Sequence, residues 1–84
     1  MTSDEKLMLK FYELATEKGD PRMPLNPLKA ARALGIKETA LKNIIKHLAQ
    51  ANLVKKIDDV LIALTPRGCD FVLECVHSRG EVGP

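Results

Sequence analysis

Tryptophan is absent, and the 84 residues contain one tyrosine and two phenylalanines. With at least two of Phe11, Tyr12 and Phe71 expected in the core, no row of rings remains on which successive bases of a single strand can stack. Cysteine is scarce too, with only Cys69 and Cys75. On a helix of ~100° per residue their side chains lie about 120° apart, too far round the axis to bridge. There is no C-x-x-C, and His47 and His77 are thirty residues apart. No metal site is expected, and the cysteines read as core residues of a reducing compartment. The longest apolar run is five residues, 60–64, far short of the ~20 needed to span a bilayer. The opening Met-Thr-Ser-Asp-Glu is polar and acidic where a secretory leader is basic, so a cytoplasmic protein with no membrane partner is expected. A glycine-rich phosphate loop, H-E-x-x-H and G-x-S-x-G are all missing. A domain of this size is not expected to enclose a pocket of ~300 Å³ beside its core. The expectation is a non-enzymatic protein without cofactor.

What is present suits one small globular domain. At 9.3 kDa the chain is 45% hydrophobic and 29% charged, with a net charge of only +2. That composition is far from a disordered one. The charge is unevenly placed. Residues 21–56 hold Arg22, Lys29, Arg32, Lys37, Lys42, Lys46, Lys55 and Lys56 against the single acid Glu38, whereas both flanks are net acidic. Such asymmetry points to a polyanion at the middle segment, although a solvated helical face has the same composition.

Local signals place the elements. Thr2 and Glu5 have capping-box spacing, and Leu7, Met8, Phe11, Leu14 and Ala15 follow at helical intervals up to Gly19. Leu9 and Tyr12 fall off that stripe. Pro21, Pro24 and Pro27 keep residues 20–27 extended, with Met23 and Leu25 alternating as in a short strand. Asn26-Pro27 opens a second helix with Leu28, Ala31 and Leu34 inward, and Gly35 closes it. A third helix over 38–51 buries Leu41, Ile44, Ile45 and Leu48 and leaves Thr39, Lys42, Asn43, Lys46, His47 and Gln50 on the opposite face. Asn52 suits the left-handed position after it. Two β-rich runs, 53–57 and 60–65, are joined by Asp58-Asp59, read as a tight hairpin turn. Thr65-Pro66 opens a last helix to about residue 77, with Cys69, Val72, Leu73 and Val76 on one stripe and Phe71 and Cys75 on a second. A single domain over 1–78 and a flexible tail over 79–84 are expected.

The run Leu34-Gly35-Ile36-Lys37-Glu38-Thr39-Ala40-Leu41, leading into Ala51-Asn52-Leu53-Val54, resembles the turn, recognition helix and wing entry of winged helix-turn-helix regulators. Leu64-Thr65-Pro66-Arg67-Gly68 is similar to the Leu-Thr-x-x-Gly that closes the wing in multiple-antibiotic-resistance and phenolic-acid-repressor types. The resemblance covers residues 5–76. It implies a mainly α fold with a small β-hairpin: a three-helix core, a two- to three-stranded wing and a C-terminal helix. It also implies a transcriptional regulator of double-stranded DNA whose helix 38–51 enters the major groove. Carried over by position, Lys37, Thr39, Ala40, Lys42 and Asn43 face the groove. Lys46 meets a phosphate, His47 lies on the same face, and Lys29, Arg32 and Arg22 assist. No operator or small-molecule effector is assigned.

Two positions depart from the pattern. Lys37 stands where Ser or Thr usually caps the recognition helix. The wing tip, Asp58-Asp59, carries acids where DNA-binding members carry Arg or Lys. The acidic tip makes a protein-interaction module without DNA binding the alternative function. Leu9 and Tyr12 on the first helix, with Phe71 and Cys75 on the last, are the surplus apolar groups expected to pair two copies as a homodimer. Cover by the chain's own loop 20–27 is the competing use of that face.

Overall fold

Thr2 caps the first helix as its spacing requires. Its Oγ1 accepts the Glu5 N–H at 3.2 Å, and its own N–H donates to Glu5 Oε1 at 3.0 Å. A computed structural model describes residues 2–78; the tail at 79–84 lies outside the described residues. The elements run α1 (Ser3–Glu17), α2 (Leu28–Leu34), α3 (Glu38–Gln50), β1 (Val54–Lys56), β2 (Ile62–Leu64) and α4 (Pro66–Ser78). The architecture is mainly helical with one small antiparallel hairpin.

α1 buries Leu7, Met8, Phe11 and Ala15 against α2, α3 and α4. Each large side chain removed from water in this way contributes about 1.5–3 kcal/mol. Gly19, at φ 113°, turns the chain out of the helix, and the Asp20 N–H closes back on the Ala15 carbonyl at 3.2 Å. The proline-rich stretch then meets the hairpin. Leu25 and Ile62 exchange two backbone hydrogen bonds of 2.9 and 3.0 Å. The expected short strand at 23–25 is thus a single bridge: at the next ladder positions on either side the Met23 N–H is taken by the Asp20 carbonyl and Pro27 has no N–H. Asn26 Oδ1 accepts the Leu28 N–H at 2.9 Å, so it does cap α2. The buried side of α2 is Ala30 and Ala31, while Leu28 and Leu34 are only half-buried. The small alanines let α2 sit close to the core.

α3 buries Leu41, Ile44, Ile45 and Leu48, the stripe its periodicity predicts. Asn52 follows at φ 62°, in the left-handed region. The hairpin pairs Val54 with Leu64, Lys55 with Ala63 and Lys56 with Ile62. The turn is not the two residues Asp58-Asp59. It is a loop over 57–61, closed by the Ile57 N–H on the Leu61 carbonyl at 2.9 Å. Asp58 Oδ1 accepts the Val60 and Leu61 N–H groups, both at 2.7 Å, and this side-chain cap shapes the longer loop.

Thr65 joins hairpin to α4. Its hydroxyl donates to the Asn52 carbonyl at 2.6 Å and accepts the Gly68 N–H at 3.0 Å. A Cβ at Gly68 would collide with the Leu53 carbonyl oxygen, so α4 lies against backbone there. Val72 is buried, whereas Leu73, expected on the inward stripe, is 45% exposed. The inward face is centred between Gly68, Val72 and Cys75, rotated toward what was read as a second stripe, because α1 and β2 cover that side.

Candidate nucleic-acid interface

α3 holds its polar face outward because the four aliphatic side chains of the opposite stripe lock its rotation. Lys37 enters the helix in extended conformation, φ −72° and ψ 152°, with no side-chain cap. A cation in that position costs ~0.3–1 kcal/mol against the helix dipole. Lys37, Thr39, Ala40, Lys42, Asn43, Lys46 and His47 are all exposed, as are Lys29 and Arg32 on α2 and Arg22 before it. Among the described residues the only ion pair within 4.0 Å is Lys10 with Glu13, at 3.8 Å on α1. The cations of α2 and α3 are therefore uncommitted to carboxylates.

The structure brings three of the expected residues into one place. Lys42, Asn43 and Lys46 line a groove of about 470 Å³ between α3 and the hairpin, opposite Lys56, Asp58, Asp59 and Val60. Pro27, Ile45 and Ile62, all buried, lie beneath it. Lys29, Arg32, Lys37, Thr39 and His47 are outside this groove. Lys56 is the member that sequence reasoning missed. Its signal was the Lys55-Lys56 pair, but only the register of the hairpin decides which of the two turns toward α3. Asp58 is engaged by the loop, and its two backbone N–H bonds hold its carboxyl below the usual carboxylate range. The groove lies open on the surface between α3 and the hairpin and is not a cavity enclosed beside the core.

The surplus apolar residues of the terminal helices are half-buried. Leu9, Tyr12 and Phe71 pack on the chain's own core. Cys75 Sγ donates to Glu5 Oε2 at 3.3 Å, tying α4 to the cap of α1. With the Thr2 N–H as the largest cause, followed by Cys75, the Glu5 carboxyl is held below its ordinary value. Burial pushes the Cys69 thiol up. Among the described residues, no group of three or more His, Cys, Asp and Glu is placed to hold a metal ion. No helix among them is long and apolar enough to cross a membrane. Comparison of the chain with family models, curated proteins and solved structures gives no match.

Proposed function

We propose that this chain is a small winged-helix regulator that binds double-stranded DNA, with α3 as the recognition helix in the major groove. The observation that carries the reading is the outward face of α3, where Lys42, Asn43 and Lys46 stand exposed and without ion pairs opposite a buried stripe. The order of three helices, hairpin and fourth helix supports it. In this reading Lys42 suits guanine O6/N7, Asn43 suits adenine N6/N7, and Lys46 acts as a point charge on a phosphate. The protein acts in the cytoplasm as a homodimer and performs no catalytic step.

A mobility-shift assay on the DNA upstream of its own coding sequence, at two salt concentrations, tests it. Lys42→Ala and Asn43→Ala are each expected to lose ~1–3 kcal/mol on a cognate site and much less on random duplex. Lys46→Ala should weaken both alike and lessen the salt dependence by about one unit of slope. All three should melt like the wild type, since none of these side chains is buried.

One feature favours the second reading, a protein-interaction module. The hairpin tip carries Asp58 and Asp59 between Ile57 and Val60, which are 45% and 54% exposed. If wild-type protein shows no salt-dependent shift on any duplex, the module reading replaces the first.

A further inference from the structure

The groove between α3 and the hairpin carries opposite charges on its two walls. Lys42 and Lys46 stand on the α3 wall, while Asp58 and Asp59 stand on the hairpin wall beyond Lys56. All five side chains belong to exposed residues. The walls do not neutralise each other, since among the described residues no carboxylate comes within 4.0 Å of these lysines. Asp58 Oδ1 is turned onto the Val60 and Leu61 N–H groups, which fixes the shape of the tip. Asp59 makes no hydrogen bond among the described residues. Val60 lines the groove at 54% exposure, and Ile57, at the other end of the acidic pair, is 45% exposed. Apart from Leu73 on α4, these are the large apolar residues left open to water among the described residues.

A face that holds both signs side by side is complementary to its own image. A two-fold axis along the groove lays the hairpin tip of each copy against α3 of the other, and every favourable pair then forms twice. Lys42 and Lys46 of one copy meet Asp59 of the other, and the reverse. Val60 is covered in the same step, and a tip already held by its backbone bonds loses little freedom on docking. We infer that a second copy of this chain docks face to face on the α3–hairpin groove, so that the protein hides its own recognition face. This contact is separate from pairing through α4. The docking stands independently of the DNA-binding reading, whereas its consequence, a self-masked form that duplex DNA must open, rests on that reading.

Charge reversal tests the pairing without any DNA. All samples carry Leu73→Glu, so that pairing through α4 does not register. Sedimentation at ~0.1 mM protein is read from about 0.01 M salt, where the Debye length is ~30 Å, to about 1 M, where it is ~3 Å. The parent should self-associate at low salt and separate at high salt. Asp59→Lys alone, and Lys42→Glu/Lys46→Glu alone, each set like charges opposite one another twice and should associate about tenfold more weakly or worse. An equimolar mixture of the two variants restores both attractive pairings and should form a mixed dimer at low salt. A parent that stays monomeric throughout the series overturns the inference, and so does a mixture that associates no better than its separate components. Adding a mixed-sequence duplex to the self-associated parent should release single copies onto DNA. Copies that remain paired through this face on the duplex overturn the masking. Rescue by mixing, with no binding to any duplex, keeps the face-to-face contact and removes the DNA reading.

Discussion

Thr65 and Gly68 decide how α4 leaves the hairpin. The Thr65 hydroxyl serves two backbone groups at once, the Asn52 carbonyl and the Gly68 N–H. Thr65→Ala removes a helix cap and orphans a part-buried carbonyl, and should cost about 1–2 kcal/mol in chemical denaturation. Gly68→Ala drives a methyl into the Leu53 carbonyl, and overpacking of that kind costs about 1–3 kcal/mol. Asn52 makes a subtler case. At φ 62° it tolerates glycine, so Asn52→Gly should leave the melting temperature unchanged or slightly raised. Asn52→Val should lose on the order of 1 kcal/mol or more, because β-branched residues fit that region worst. Two carboxylates set the response to acid. Glu5 and Asp58 are both held below the usual range by hydrogen bonds to their charged forms. Their stabilising contribution is complete above the ordinary carboxylate range and is lost as pH falls through the lowered folded values. Wild type should therefore lose more melting temperature between about pH 5 and pH 3 than the Glu5→Gln/Asp58→Asn variant does.

At the scale of elements, the hairpin loop and α4 mark where local signals stop. Asp58→Ala should destabilise and loosen the loop, seen as faster amide exchange at Val60 and Leu61, whereas Asp59→Ala should leave exchange there unchanged, since only Asp58 caps those groups. The sequence announces an acidic turn, but whether two residues or five make it depends on the pairing of Lys56 with Ile62, a non-local choice. Helix ends were legible because their signals are local and chemical: Thr2 with Glu5, Asn26, Asn52 and Thr65 all act as their residue types suggest. The rotation of α4 was not. A helix with apolar residues on two sides can centre its buried face on either, and Leu73 is exposed because α1 and β2 cover the side holding Val72. The same division runs through the site. Lys42, Asn43 and Lys46 could be placed opposite the α3 stripe by periodicity alone, while Lys56 joins them only because the hairpin folds back beside α3.

For the whole molecule, the proposed binding of a polyanion has to work with a net charge of only +2. The positive charge is concentrated on α2, α3 and the hairpin base, while α1 and the hairpin tip carry acids, so the molecule has a direction in a DNA field despite its low total. Each copy measures 38 × 24 × 23 Å, and the proposed two-fold pair would have to set its two α3 helices about 34 Å apart, the separation of successive major grooves on one face of a duplex. The expected pairing residues Leu9, Tyr12 and Phe71 also pack on their own core, so a charge placed there disturbs the fold and the interface together. Leu73 separates the two effects. It is 45% exposed on α4, so Leu73→Glu should leave each copy folded, seen as an unchanged circular-dichroism spectrum. If α4 pairs two copies, light scattering at tens of micromolar will give a dimer mass for wild type and a monomer mass for Leu73→Glu, with binding to a two-half-site duplex weakened and binding to a single half-site unchanged. A wild-type monomer mass under the same conditions removes the two-fold arrangement and leaves one α3 reading one half-site. A dimer that survives Leu73→Glu moves the interface off this face of α4.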